Sequence, residues 1–358
     1  MGYVNRIKLV LLRIIIDQHC IYIKFDKMML IMTKLDYMPK INGLSFRTYQ
    51  DTSDLPKMVT VHAASQNHDH IDPLSVMEYI PTIQDLAERL HNDHCDPIYD
   101  ILIVELDGQV IGYSKNGWWT EVDGTWLYIH TGFLVPEWRG KCIGTAMLQW
   151  SQDRLRAIAS NHATKGRGML GSNASSSEIE KTKLLLENGY QKVFTTIEMD
   201  FDLFQDVPDI TIPVGFQVRK VKPEHLRKIW EANNSVYATR DFTREPTDDD
   251  YQEFAANPNN DYSQWLVAWH GKEIAGLVLS EISKGIGEIL EVSTIEKYRR
   301  RGLAQALLAK NISHLKEVGV KAIRLHTSGE NVSGAKTLYE KVGFKHLKDH
   351  VRYRKSLH

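Results

Sequence analysis

The chain has 358 residues, 42% of them apolar and 25% charged, and its formal net charge at pH 7 is -1. This length predicts two compact domains, and the ordinary composition excludes a collagenous, coiled-coil or disordered chain. The near-neutral charge provides no broad basic face, which argues against nucleic-acid binding. Cys20, Cys95 and Cys142 form no CxxC pair and no even-numbered framework, which favours a reducing, cytoplasmic setting over a secreted one.

The first segment, residues 1–41, contains an apolar stretch that superficially resembles a signal or membrane segment. Arg13 and Asp17 interrupt it short of the roughly 18 to 20 residues that a spanning helix needs, and no small-residue cleavage site follows. We therefore expect no membrane association. We interpret residues 1–41 as a leader that is either disordered or upstream of the native start.

Beyond the leader, two series of similar signals follow each other at an interval of about 160 residues, which is typical of a duplicated domain. The first copy is predicted over residues 42–205 and the second over residues 206–358, with a proline-containing linker at the start of the second. Each copy opens with a short alternating strand, carrying Arg47 or Arg219, and continues into a helix. The sequence therefore predicts two units of the same architecture.

Each copy next predicts a β-hairpin, with Asp107-Gly108 and His270-Gly271 at the two turns. Another strand follows, then a basic turn and an amphipathic helix. The turn reads WRGKCIGTAM in the first copy and YRRRGLAQAL in the second.

The basic turn of the second copy begins a predicted helix that ends at Gly319. Its residues are Arg299, Arg300, Arg301, Gly302, Leu303 and Ala304. A helix N-terminus offers unpaired N–H groups and partial positive charge, so a pyrophosphate can bind there. Gly302 permits close approach of the backbone, and the arginines add complementary charge. On this motif alone, a solvated turn without a ligand is an equal alternative.

A second motif, NVSGAKTLYEKVGF, covers residues 331–344 and predicts a helix closed by Gly343. Taken together, the RxxGxA turn and the N…AxxLYEKxGF helix resemble the GCN5-related N-acetyltransferase (GNAT) superfamily, over roughly residues 216–358. The repeat makes the chain similar to tandem, two-domain members of that superfamily.

The resemblance implies an α/β (α+β) fold, with two domains that each contain a mixed, mostly antiparallel twisted sheet flanked by helices. In the second domain it implies a sheet splayed between the fourth and fifth strands, with acetyl-CoA in the gap. It implies Val292 and Ser293 beside the acyl group, the pyrophosphate at 299–304, Asn331 near the pantetheine, and Tyr339 by the thiol. We expect no metal, because the histidine and cysteine spacings fit no established zinc pattern.

The resemblance also implies an N-acyltransferase that moves the acetyl group of acetyl-CoA directly to a small-molecule primary amine. Tyr339 suits the leaving thiolate, because a phenol of pKa near roughly 10 can protonate the anion of a thiol of pKa near roughly 8.5. We expect Glu288 to be the general base, with Glu291 and His326 as alternatives. The two carboxylates are three residues apart, so in a regular strand they point to opposite faces. A solvent-facing strand carboxylate is the alternative for each.

The first copy lacks parts of this site. Cys142 occupies the position of Gly302, so we expect a side chain to crowd the phosphate path, and Leu185 occupies the position of Tyr339. We expect this copy to support the fold, shape the acceptor cleft or hold acyl-CoA without turnover. A wholly non-catalytic tandem protein that binds or senses acyl-CoA is the alternative function.

Overall fold

The computed structural model describes residues 38–358 except 76, 93, 122, 163–166, 238–245, 259 and 331–333. Residues 1–37 of the predicted leader and the predicted pantetheine residue Asn331 lie outside the described residues. Every helix in the described ranges is too short or too polar to cross a bilayer. Below, the first half is 38–205 and the second half is 206–358.

The first half follows the predicted order of strand, helices, hairpin, strand, basic turn and helix. Its strands are β1 (Leu44–Thr48), β2 (Ile101–Leu106), β3 (Gln109–Thr120), β4 (Trp126–Leu134), β5 (Gly168–Ser175) and β6 (Gln191–Phe201). Its helices are α1 (Leu55–His68), α2 (Ile83–Asn92), α3 (Ile143–Ser160) and α4 (Ile179–Glu187), with a short helical turn at Pro97–Asp100.

The second half repeats this order. Its strands are β7 (Gln217–Arg219), β8 (Leu266–His270), β9 (Glu273–Ser283), β10 (Ile286–Thr294), β11 (Ala322–Ser328) and β12 (Phe344–Ser356). Its helices are α5 (Leu226–Tyr237), α6 (Asp248–Ala256), α7 (Leu303–Val318) and α8 (Ala335–Val342). Gly319 and Gly343 end α7 and α8 in the left-handed conformation, with φ of 84° and 115°, which confirms both predicted helix ends.

One sheet joins the strands of both halves within the described residues. Its order is β1, β2, β3, β4, β5, β12, β6, β11, β10, β9, β8 and β7. The last strand of each half is thus exchanged: β12 lies between β5 and β6, and β6 lies between β12 and β11. The division predicted at residues 205 and 206 falls between strands in sequence, but in space each half completes the sheet of the other.

The fourth and fifth strands of each half separate partway along their length. β10 pairs in parallel with β11 only from Ile286 to Ile289, and β4 pairs in parallel with β5 only from Trp126 to Ile129. The remaining described strand pairs are antiparallel. The predicted mixed, mostly antiparallel and splayed sheet is therefore confirmed.

Helices cover both faces of the sheet in each half. In the second half, α7 and α8 bury one apolar cluster that includes Ile289, Leu307 and Tyr339, and α5 packs on the opposite face against Leu277 and Leu279. The strands are apolar on both faces where both are covered, as in the ILIV segment of β2. The gap between β10 and β11 is consequently bordered by α7 and α8 on one face and α5 on the other.

Candidate active site

The basic turn of the second half forms the N-terminus of α7. Arg300 and Gly302 both have left-handed backbones, with φ of 60° and 79°. The first helical hydrogen bond runs from the Ala306 amide to the Gly302 carbonyl at 3.1 Å, and no side chain caps the helix. The amides of residues 303–305 therefore have no intrahelical partner and carry the positive end of the helix dipole. This arrangement fits a phosphate group.

The three arginines of the turn are exposed. Arg299 Nε donates to the Thr294 carbonyl at 3.2 Å, and the Arg301 guanidinium lies 5.8 Å from the ring centre of Tyr298. Within the described ranges, no carboxylate pairs with any of the three. Their charge is thus available to an anionic ligand.

The predicted residues beside the acyl group lie on opposite faces of β10. Val292 packs into the same apolar cluster as Leu303 and Tyr339, on the α7 and α8 face, and Tyr339 is 8% exposed. Ser293 is buried on the α5 face, where its Oγ donates to Asn233 Oδ1 at 2.6 Å. The structure therefore places Val292 and Tyr339 together and Ser293 across the strand from them.

The expectation that Glu288 and Glu291 point to opposite faces is wrong, because β10 contains a bulge at Leu290. Glu288 lies opposite Glu281 of β9, whereas Glu291 lies opposite Leu279. The two partners are two residues apart on β9, so both carboxylates share the α5 face. A bulge cannot be read from the three-residue spacing alone.

The side chain of Glu288 is 23% exposed, and its Oε1 lies 3.2 Å from Nδ1 of His326 on β11. Two of the three predicted base candidates are therefore in contact. On its other side, the His326 ring faces Glu198 of β6, with 3.9 Å between Nε2 and Oε1.

Glu198 and its partners were not predicted from the sequence. It is 0% exposed and accepts a hydrogen bond from Ser75 Oγ at 3.0 Å, while His350 Nε2 lies 3.0 Å from the same oxygen. Burial alone would raise the pKa of the Glu198 carboxyl, but the His350 hydrogen bond, the His326 charge and Ser75 lower it overall. The sequence signal that could have indicated Glu198 is the alternation in TTIEMDF of β6, which sets Thr196, Glu198 and Asp200 on one face.

The family model for the GNAT acetyltransferases matches residues 67–164 and 226–344, one region in each half. The chain belongs to the GNAT family of acetyltransferases. GNAT members use acetyl-CoA as co-substrate. The tandem arrangement predicted from the repeat is thereby confirmed.

Several curated relatives are named mycothiol acetyltransferase. The protein from Geodermatophilus obscurus is 23% identical over 257 residues, covering 68% of this chain and 78% of its own length. The protein from Salinispora arenicola is 23% identical over 314 residues, covering 86% and 94%. These relatives span both halves of the chain.

Two solved structures share the fold. A GCN5-related N-acetyltransferase from Sphaerobacter thermophilus superposes with a TM-score of 0.70 at 21% identity, covering 88% of this chain and 96% of that one. A tandem GNAT protein from the clavulanic acid biosynthesis pathway gives a TM-score of 0.62 at 14% identity, covering 88% and 99%.

The GNAT turn of the first half keeps the backbone but not the free charge. Gly140 and Cys142 are left-handed, with φ of 70° and 62°. Arg139 Nε donates to a strand carbonyl at 3.1 Å, as Arg299 does. Its other nitrogens bind both carboxylate oxygens of Asp69, at 2.6 and 2.8 Å, and one of Glu180 at 2.7 Å. This arginine is therefore occupied by carboxylates.

The acidic cluster around Arg139 has the ligand types of a metal site. His68, Asp69 and Glu180 offer ligand atoms within 4.8 Å of one another. Both carboxylates, however, are bound to Arg139, whose guanidinium already supplies the positive charge between them. We interpret this group as an ion-pair cluster.

The first half also lacks the polar groups of the second at the matching strand and helix positions. Matched through their partners on the preceding strand, Ile129 and Thr131 of β4 stand where Glu288 and Glu291 stand on β10, because β4 pairs with β3 without a bulge. Leu185 is 1% exposed in the core. A cavity of about 370 Å³ nevertheless lies between α1, α2 and the splayed strands of this half.

Proposed function

We propose that the second half transfers the acetyl group of acetyl-CoA to the nitrogen of a primary amine. One observation carries the proposal: a cationic helix N-terminus directly follows a strand that separates from its parallel neighbour. This N-terminus, that of α7, presents three unpaired backbone amides. It also presents Arg299, Arg300 and Arg301, which have no carboxylate partner among the described residues. A pyrophosphate and a thioester arm need those two features side by side.

In this proposal the turn 299–304 binds the pyrophosphate. The left-handed backbone at Arg300 and Gly302 directs successive N–H groups toward one anion, and Gly302 adds no Cβ near it. Asn331, outside the described residues, remains the residue that the family resemblance assigns to the pantetheine. Val292 and Ser293 border the acyl group from the two faces of β10.

The chemical step needs one proton removed and one supplied. Glu288 takes the proton of the amine, whose nitrogen attacks the thioester carbon. As the carbon–sulfur bond breaks, the Tyr339 hydroxyl donates a proton to the departing sulfur. Tyr339 regains its proton and Glu288 loses one to solvent, so the net products are an amide and the free thiol. Each proton transfer of this kind contributes typically about 100-fold or more to the rate.

The acceptor in this proposal is a small amine in a reducing, cytoplasmic setting. Relatives named mycothiol acetyltransferase cover both halves of the chain, so a thiol-bearing amino sugar derivative belongs in the first set of acceptors tested. The first predicted domain, residues 42–205, is proposed to be a degenerate copy, because Arg139 is bound to carboxylates and Leu185 cannot donate a proton.

The proposal is tested by measuring thiol release from acetyl-CoA with a panel of primary amines, including amino sugars, amino acids and polyamines. We expect at least one amine to raise thiol release above hydrolysis, with the N-acetylated product identified by mass spectrometry. A Glu288→Gln variant should lose this activity near neutral pH. Retained kcat in that variant at neutral and alkaline pH would remove Glu288 from the mechanism.

If no amine is acetylated although acetyl-CoA binds, the alternative function follows: a tandem protein that binds or senses acyl-CoA without turnover. That function would belong to the second half, because the corresponding arginine of the first half is already occupied by carboxylates. In the proposal, the second half supplies the groups for both binding and proton transfer.

A further inference from the structure

A buried carboxylate from the first half faces the histidine that contacts the proposed base of the second. Glu198 belongs to β6, the strand that the first half contributes to the second half's sheet, where it pairs with β11. In this register Glu198 lies directly opposite His326. The strand exchange therefore brings a charged residue of one half into contact with the site of the other.

The orientation of this carboxylate is fixed on one side. Ser75 Oγ and His350 Nε2 each lie 3.0 Å from Glu198 Oε2. Oε1 is left facing Nε2 of His326 and Nε of Arg324, each at 3.9 Å. None of these three facing atoms has a hydrogen-bond partner among the described residues, so no hydrogen bond stands between the charge of Oε1 and the two nitrogens that face it.

The imidazole of His326 consequently lies between two carboxylates, one from each half. Nδ1 is 3.2 Å from Glu288 Oε1 and Nε2 is 3.9 Å from Glu198 Oε1. The other charged groups facing the ring are Arg324 on its own strand and His350 on β12, whose ring centre is 6.4 Å away. The negative charge of a carboxylate that faces a ring nitrogen favours a proton on that nitrogen.

We infer that Glu198 is a positioning residue for the reaction of the second half, acting through His326 on Glu288. The negative charge of Glu198 favours a proton on Nε2 and orients the ring, which limits how strongly Nδ1 donates to Glu288. Without that charge, the ring proton moves to Nδ1. The Nδ1–H group then donates a hydrogen bond to the Glu288 carboxylate, which makes the carboxylate a weaker base. This inference rests on the proposed function, in which Glu288 accepts the amine proton.

The first test reads the imidazole without any ligand. In protein labelled with 15N-histidine, we expect the His326 ring signals, assigned by their loss in a His326→Gln variant, to show a protonated Nε2 at neutral pH. In Glu198→Gln they should show Nε2 unprotonated and Nδ1 protonated. Unchanged ring signals in this variant would overturn the inference, whether or not the protein is an acyltransferase.

The second test reads the reaction with acetyl-CoA and the amine found above. Glu198→Gln should lower kcat by about tenfold, leave the Kd for acetyl-CoA unchanged, and move the acidic limb of the kcat/KM profile to lower pH. A merely structural role would lower kcat without moving that limb. In a His326→Gln background, adding Glu198→Gln should have no further effect, because the two act in series. A full additional tenfold loss would contradict the inference.

Asp72→Asn is the matched control, because Asp72 binds Arg324 at 2.7 Å but does not contact His326. It should leave the ring signals and the acidic limb unchanged. Since Glu198→Gln places an amide in a fully buried position, Ser75→Ala is a second variant that loosens the same carboxylate and keeps its charge. It should move the Nε2 signal in the same direction by a smaller amount, and no movement would count against the inference.

Discussion

The basic turns of the two halves have nearly the same backbone and different chemistry. In each, two residues are left-handed, but the order of glycine and side chain is reversed: Gly140 and Cys142 in the first half, Arg300 and Gly302 in the second. In the first half Arg139 binds two carboxylates, whereas no described carboxylate pairs with the matching Arg299 of the second half.

Packing preserves the shape of the turn whether or not its arginine is paired with carboxylates. Ile143 and Leu303, the first residues of the two helices, are both fully buried, so each turn has to place its helix on the sheet in the same way. The charge around the turn is set by other elements, such as Asp69 at the end of α1. Shape alone is therefore a poor guide to which half binds acyl-CoA.

The largest expected effect comes from replacing the matched arginines. Arg139→Gln should lower the free energy of unfolding by about 3 kcal/mol, because it leaves the buried Asp69 carboxylate unpaired. Arg299→Gln should change it by less than about 0.5 kcal/mol but weaken acetyl-CoA binding by about tenfold, the typical loss of one charged hydrogen bond. Chemical denaturation and calorimetry measure the two effects. Equal responses of both variants would mean that the two arginines have the same role.

The second-largest effect, on kcat, is expected at Tyr339, the helix position that differs between the halves. Tyr339→Phe should lower kcat by about 100-fold through loss of the proton donor, with the Kd for acetyl-CoA unchanged. Tyr190→Phe makes the same chemical change in the first half, where the hydroxyl contacts His130 at 2.9 Å. It should leave kcat unchanged, and a comparable loss there would mean that the first half takes part in the chemistry.

At the junction between the halves, His350 makes the free energy of unfolding depend on pH. Burial alone would lower the pKa of His350, but hydrogen bonds to Glu198 and Glu78 raise it to about 9. Because the folded value exceeds the ordinary value of about 6.5, this stabilisation is complete below pH 6.5 and is lost as the pH rises to about 9. We expect a loss of about 2 kcal/mol over that window.

Denaturation curves between pH 6 and 10 measure this loss. His350→Gln should flatten the decline. His346→Gln, on the same strand but 46% exposed, should leave it in place. A decline that persists in His350→Gln would assign it to another group.

The smallest effect on stability is expected from substitutions that change the backbone preference of the two turns without changing their charge. Cys142 has a left-handed φ of 62°, so Cys142→Gly should raise the free energy of unfolding by about 0.5 kcal/mol. Gly302→Cys should lower it by a similar amount, because a Cβ there meets no atom within 4 Å and only the backbone preference changes. Thermal melting of the two variants measures both. A large loss from Gly302→Cys would mean that the turns are not equivalent.

Much of the fold and the backbone of the basic turn could be predicted from the sequence, because these features are local. The left-handed ends at Gly319 and Gly343 follow from glycine chemistry, and the face that carries Tyr339 follows from helical spacing. The strand exchange could not be predicted in this way, since the alternation in β6 and β12 indicates which faces are buried but not which strand lies alongside.

The surroundings of Glu288 were predicted only in part, because they also depend on which strands pair. Glu288 and His326 were both named from the sequence, but their contact depends on parallel pairing of two strands. The common face of Glu288 and Glu291 depends on a bulge that only the pairing with β9 reveals. Glu198 was missed because it enters from the other half.

Calorimetric titration of acetyl-CoA determines whether the second half holds the acyl-CoA. The titration is repeated with an Arg301→Glu, Gly302→Glu double variant and with a Gly144→Glu variant of the first half. We predict one site that is lost in the double variant and retained in Gly144→Glu. A site lost only in Gly144→Glu would assign binding to the first half, and no binding to the unmodified protein would contradict the acyltransferase account.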